Sequence, residues 1–262
     1  MVVGYSVFDN VIMNKNPSFI GASNYIEIFS DEVFLETVSN TSFFTINSVV
    51  VHLIIGLTFA MLLNTPALHK NTKAIFRMIY ILPWVFTAAI IAILWRLMLN
   101  PNGIVNYILE TSNIISSKVE WLSSSKTALY SLTFINIWSG YPFFMISLLA
   151  GLQGISADLY EAATVDGANA VQKFFCITIP QLKPIIISMA MLDLIWTMQQ
   201  FPLVWMTTGG GPRHSTEMLS TYTYKFAFSS YQFSMASASA VIIFLFSMLM
   251  AAVYVRHQKA RD

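Results

Sequence analysis

The sequence predicts an all-α polytopic membrane protein, and three observations carry that prediction. Hydrophobic residues make up 56% of the 262 and charged ones 10%, where a soluble domain carries about 25% charge. Apolar runs recur at close to the length of about 20 residues that a helix needs to cross a hydrocarbon core. The polar stretches between them differ in charge, as loops on opposite sides of a membrane do. Mean hydropathy is +0.63. A net charge of +1 offers no basic field for nucleic acid. No charged leader with a small-residue cleavage site is seen, so no secretory signal is expected. The one cysteine, Cys176, has no internal partner for a disulfide and reads as a small buried apolar residue.

The elements follow in order. Residues 1–12 are apolar but too short to cross a bilayer, and read as the end of a truncated first helix. Residues 14–40 set Lys15 against Glu27, Asp31, Glu32 and Glu36, and read as an amphipathic helix near the outer surface. About five full transmembrane helices are expected, at 41–63, 78–99, 128–151, 183–205 and 234–255. Between the first two, Lys70, Lys73 and Arg77 stand with no acid, and the tail sets Arg256, Lys259 and Arg261 against Asp262. Basic loops stay in the cytoplasm. That loop and the C-terminus are therefore expected inside, and 14–40 outside. Counting spans puts 153–180 inside, and 100–126 and 207–233 outside. In the first of these outer loops Pro101, Gly103 and Asn106 are turn signals, and Trp121 suits an interfacial anchor. In the second, Tyr222, Tyr224, Phe226, Phe228, Tyr231 and Phe233 read as a short interfacial helix.

The stretch 153–180 interrupts two apolar runs with the pattern helix, glycine turn, helix, stop. Ser156 is placed to cap the first helix. Leu159, Ala162 and Ala163 share a face at helical spacing. Gly167 suits the left-handed residue that closes a helix. Asn169 or Ala168 restarts a helix bearing Val171, Phe174, Phe175 and Thr178, and Pro180 is expected to end it.

Glu161-Ala162-Ala163, then Asp166-Gly167-Ala168, then Phe174, Ile177 and Pro180, resemble the coupling loop of ATP-binding-cassette importer permeases. Leu152-Gln153-Gly154-Ile155 before it and Leu182-Lys183-Pro184 after it fit the same pattern. Gly209-Gly210-Gly211-Pro212 resembles the carbohydrate-uptake branch, of maltose and glycerol-phosphate permease type. The resemblance covers nearly the whole chain. It implies a type I importer permease fold in a single domain over 1–262, with 153–180 as the cytoplasmic coupling hairpin. It implies that Leu159, Glu161, Ala162, Ala163, Asp166, Gly167 and Ala168 contact an ATPase. The family has a complete first helix, from which this chain departs.

The sequence has no Gly-x-x-x-x-Gly-Lys-Ser/Thr run and so no phosphate cradle. No cofactor is expected on this chain, which is not read as an enzyme; ATP and magnesium would sit on a partner ATPase. The resemblance implies two such ATPase subunits, an extracytoplasmic solute-binding protein and a second, similar permease, most simply as a heterodimer. Five spans are too few to seal a two-sided pathway alone. The setting is a bacterial or archaeal cytoplasmic (inner) membrane, where the chain is multi-pass and in contact with lipid.

Polar residues inside spans are costly and point to function. Asp193, Trp196, Thr197, Gln200 and Val204 fall on one helical stripe with Gln199 beside it. Carboxylate, indole and amide together suit a polyol, so Asp193, Trp196, Gln199 and Gln200 are candidates for a substrate path. Interhelical hydrogen bonding explains them equally well. Asn136, Ser139 and Tyr141 form a second polar patch, and Asn136 and Tyr141 join the candidates. Pro202 stands where the family often has an acid, and can kink its helix. Arg96 reads as snorkelling, and His52 as a lone histidine with no second ligand in helical register. The spans hold few basic groups, which favours a neutral sugar or oligosaccharide. An ion-coupled secondary transporter or channel using Asp193 is the alternative; it calls for an internal repeat, and none is seen.

Overall fold

The computed structural model describes residues 1–259, so Arg261 and Asp262 of the expected basic tail lie outside the described residues. Among them every regular element is helical: α1 (Val2–Tyr5), α2 (Ser23–Ser30), α3 (Glu32–Asn64), α4 (Lys70–Val85), α5 (Ala88–Met98), α6 (Ile104–Thr111), α7 (Ala128–Gln153), α8 (Ala157–Val165), α9 (Ala170–Lys173), α10 (Ile179–Met198), α11 (Pro202–Thr207), α12 (Leu219–Phe228) and α13 (Phe233–Lys259). A π-helical turn, Phe174–Thr178, joins α9 to α10. Four helical runs are long and apolar enough to cross a membrane, and α4 with α5 makes a fifth if counted as one broken span. The all-α membrane class is borne out.

Several boundaries differ from expectation, each for a local reason. The outer helix expected over 14–40 is only α2; Asp31 then accepts from the Val33 N–H at 2.9 Å and starts α3 at Glu32. Several of the polar residues that follow are internal: Thr37, Asn40, Thr41 and Thr45 are buried, while Glu36, Ser39 and Ser42 stay exposed. The span expected at 78–99 is broken at Phe86, which is extended (φ −74°, ψ 144°), three residues after Pro83 has removed a helical donor. Pro180 does not end its helix. The run Ala170–Met198 is continuous, because the π turn resets the hydrogen-bond ladder just before the proline. The span expected to reach 205 instead stops at Met198, and Pro202 opens α11 at a position where its missing N–H costs nothing. Cys176 is exposed rather than buried.

The chain divides into two compact units: the first from residues up to Asn47, Ala88–Ile135 and Ile195 onward, the second Ser48–Thr87 with Asn136–Leu194. The first unit has its core at Ile28, Phe34, Leu219, Tyr222, Met235, Ala238 and Ile242. Tyr222, expected in an interfacial belt, is thus inside; its hydroxyl donates to Asp31 Oδ2 at 2.6 Å. Burial, and then that carboxylate, push its pKa well above the usual phenol value. The loop before α12 is knit by Glu217, which is 0% exposed, paired with Lys225, and 3.3 Å from His214 Nδ1. Asn40 donates to the His214 and Glu217 carbonyls at 3.0 and 3.3 Å. Trp121 donates its indole N–H to Asn106 Oδ1 at 3.0 Å, which ties down the loop after α6.

The second unit packs parts of α3, α7 and α10 around Val49, Leu63, Phe144, Met145, Leu148 and Leu182. Tyr80 of α4 stacks on Phe59 at 4.4 Å. Burying such side chains stabilises by roughly 1.5–3 kcal/mol each in water, but in a bilayer the driving force is close packing and interhelical hydrogen bonding. The hairpin and the polar pair described next both belong to this unit.

Candidate coupling hairpin and buried polar pair

The hairpin is built by its own caps. The Ser156 hydroxyl accepts from the Asp158 N–H at 3.3 Å and opens α8. At its other end Gly167 sits at φ +80°, a left-handed value that costs glycine little. The Ala168 N–H reaches the Ala163 carbonyl at 2.8 Å and the Gly167 N–H reaches Thr164 at 3.1 Å. Those two bonds are the Schellman pattern, which satisfies the carbonyls a helix end would leave open. Asn169 then caps α9 in a reciprocal box with Gln172, at 2.9 and 2.8 Å. Two side-chain bonds close the hairpin across its arms: Tyr160 to Thr178 at 2.9 Å, and Lys173 Nζ to Thr164 Oγ1 at 2.7 Å.

With its backbone satisfied internally, the hairpin turns apolar side chains outward. Leu159 is 43% exposed, Val165 88%, Val171 64% and Phe175 63%. Glu161, Ala162, Asp166 and Gly167 are exposed, and Ala163 and Ala168 half-buried. The residues expected for coupling therefore share one compact feature. Val165 and Phe175 are more exposed than Leu159 and extend the face expected for contact; their signal in the sequence is an apolar side chain on a segment too polar to be a span.

Inside the unit, the structure joins two residues that the sequence treated separately. His52 of α3 and Asp193 of α10 are 1% and 7% exposed, and Nδ1 lies 2.7 Å from Oδ2. His52 Nε2 meets the Asn136 carbonyl of α7 at 3.1 Å. That carbonyl only accepts, so the bond to it is donated by Nε2–H, and the other ring nitrogen faces the carboxylate. Gly140 makes the room: a Cβ there would overlap the imidazole. No spacing rule links positions 141 residues apart, so only the packed helices bring the pair together.

The other path candidates are also placed. Asn136 is buried, with its amide nitrogen lacking a hydrogen-bond partner. The Tyr141 hydroxyl donates to the Tyr80 carbonyl at 3.1 Å. In the first unit Trp196 is 57% exposed, Gln199 donates to Ser247 at 3.2 Å, and Gln200 is half-buried. Val204 falls on α11, off the stripe it was assigned to. Arg96 donates to the Met206 carbonyl at 3.3 Å. Among the described residues no group of three His, Cys, Asp or Glu side chains is arranged to hold a metal ion.

Comparison with known proteins follows the same lines. Residues 52–261 match the family described as the inner membrane component of binding-protein-dependent transport systems. The chain is 35% identical over 216 residues to the trehalose/maltose transport system permease protein MalF of Thermococcus litoralis, covering 82% of this chain and 72% of that one. It is 34% identical over 245 residues to the sulfoquinovosyl glycerol transport system permease protein SmoG of Agrobacterium fabrum, covering 93% and 78%. In fold it resembles a chain of a bacterial ABC transporter that imports the acidic polysaccharide alginate, with a TM-score of 0.81, 23% identity, and coverage of 97% and 88%. A second fold neighbour, from the MetNI methionine ABC transporter, has a TM-score of 0.59 at 18% identity, covering 87% and 95%. The chain is a multi-pass inner-membrane protein and belongs to the family of permease components of binding-protein-dependent, ATP-binding-cassette importers.

Proposed function

We propose that this chain is one of two similar permease subunits through which an ATP-driven importer carries a sugar or oligosaccharide across the cytoplasmic membrane of a bacterium or archaeon. The observation that carries the reading is the hairpin, self-capped and presenting an exposed apolar face. Helix-in-groove docking uses such a face. Residues 153–180 are the coupling element of a single permease domain over 1–262. In that role Leu159, Ala162 and Ala163 pack into an ATPase groove and Glu161 meets a basic group there. Asp166, Gly167 and Ala168 set the angle of the turn. Val165, Val171 and Phe175 widen the same contact.

The hairpin, the loop holding Lys70, Lys73 and Arg77, and the C-terminus are cytoplasmic. Two ATPase subunits hold ATP and magnesium; this chain is non-catalytic and holds no cofactor. An external solute-binding protein delivers the solute. ATP binding closes the ATPase pair, the hairpins move with it, and the permease pair opens outward; hydrolysis resets it. No observation favours an ion-coupled carrier or channel.

The relatives' names, with trehalose, maltose and sulfoquinovosyl glycerol among them, support a sugar. The scarcity of basic groups in the spans supports a neutral one. In the first unit, exposed Trp196 with Gln199 and Gln200 offers an aromatic face and amides to hydroxyl groups. Asp193, Asn136 and Tyr141, expected as path residues too, belong to the second unit, where they bond to its own helices. The test is co-purification after co-expression with the neighbouring genes. An ATPase subunit is expected with the native chain and lost with Glu161→Ala plus Gly167→Pro. Recovery of no ATPase with the native chain would overturn the reading.

A further inference from the structure

The buried pair is unused by the docking hairpin, and its position on the helices suggests what it does. Asp193 lies on the same continuous helical run, Ala170–Met198, that carries the second arm of the hairpin. At 1.5 Å per residue, the 23 steps from Ala170 to Asp193 make a rod of about 35 Å. That rod joins the second arm of the hairpin to the carboxylate. His52 receives it on α3, and the Asn136 carbonyl ties in α7. Apolar helix faces can slide past one another with little directional resistance, whereas a hydrogen bond in an apolar interior holds one register. Breaking this one would leave a polar group in hydrocarbon. Gly140, with no side chain where the ring lies, removes the obstacle to that contact.

We infer that His52 and Asp193 form the joint that makes α3 and α7 move with the hairpin-bearing helix, and that they are positioning residues rather than solute ligands. This rests on the permease reading above. The joint transmits displacement as a unit: the pair stays bonded while the hairpin is driven, so α3 follows α10.

The experiment is a distance measurement between spin labels on the native Cys176 and on Val50→Cys. The Val50 side chain of α3 is 49% exposed. The sample is the full complex with its ATPase, compared without nucleotide and trapped with ATP and vanadate. In the native background the distance distribution is expected to stay narrow and unchanged between the two states, since both labels ride on one joined body. Asp193→Ala and His52→Ala are expected to broaden or shift it in the trapped state, and the swap His52→Asp with Asp193→His to restore it. Gly140→Ala displaces the ring while keeping both side chains and is expected to behave like the single variants. It stands in should those fail to assemble.

Loss of the joint in the single variants is expected to lower binding-protein-stimulated ATP hydrolysis about tenfold, leaving the basal rate unchanged. A lowered unfolding temperature with an unchanged, narrow distribution in the variants would reduce the pair to a structural staple and overturn the proposal. Failure of the native chain to form an ATPase complex would instead overturn the permease reading itself.

Discussion

Two polar interruptions of this apolar chain are built in opposite ways. The hairpin, Ser156 to Thr178, satisfies its backbone with local caps and leaves most of its side chains exposed. The loop between α11 and α12 buries its charge: Glu217 has no exposure and is held by Lys225, with His214 and Asn40 around it. The hairpin's bonds link residues mostly within a few positions of one another, whereas the loop is tied to Asn40 across 177 residues. A segment closed by local bonds can move as a body against a partner. A segment pinned by a buried ion pair keeps one shape and is costly to disturb. The first is suited to transmit motion and the second to resist it.

That contrast can be broken by substitution, and the largest effect is expected in the loop. Lys225→Ala strands the Glu217 carboxylate in a closed environment and should cost about 3 kcal/mol, read as a drop in unfolding temperature of the purified protein. Glu217→Gln should cost less, because Lys225 reaches solvent through its half-open side chain. Gly210→Ala comes next. Its φ is +89° and a Cβ would lie 2.5 Å from Glu217 Oε2, so about 2 kcal/mol is expected.

The hairpin should be more tolerant in stability and less so in function. Gly167→Ala meets no atom within 4 Å but must hold φ +80°, at about 1 kcal/mol. Asn169→Ala removes one side of the capping box at about 1 kcal/mol. Both should barely move the unfolding temperature yet reduce recovery of the ATPase on co-purification. Equal losses of stability in loop and hairpin would erase the distinction.

How much was legible in the sequence follows the range of the interactions. The hairpin is legible nearly residue by residue, from Ser156 through Gly167 to Asn169, because caps and turns are decided by neighbours within four positions. Pro180 departs from that reading: it marks a helix start or stop by default, and the π turn that lets the helix pass is not visible as a pattern. The span at 78–99 read as one run because hydropathy averages over a break such as Phe86. Cys176 read as buried because composition carries no information on which side of a short helix faces outward.

The sequence by itself determined the all-helical membrane class, the number of apolar runs, and the family through a long local motif. It located the two polar residues His52 and Asp193 and drew attention to the acid. Tertiary structure alone decided that they meet at 2.7 Å, that Glu217 rather than a surface charge anchors the loop before α12, and that Tyr222 is core rather than belt. The physical reason is the same in each case. Hydropathy and capping are properties of a residue and its near neighbours, whereas pairing of buried polar groups depends on which helices pack together and in what register.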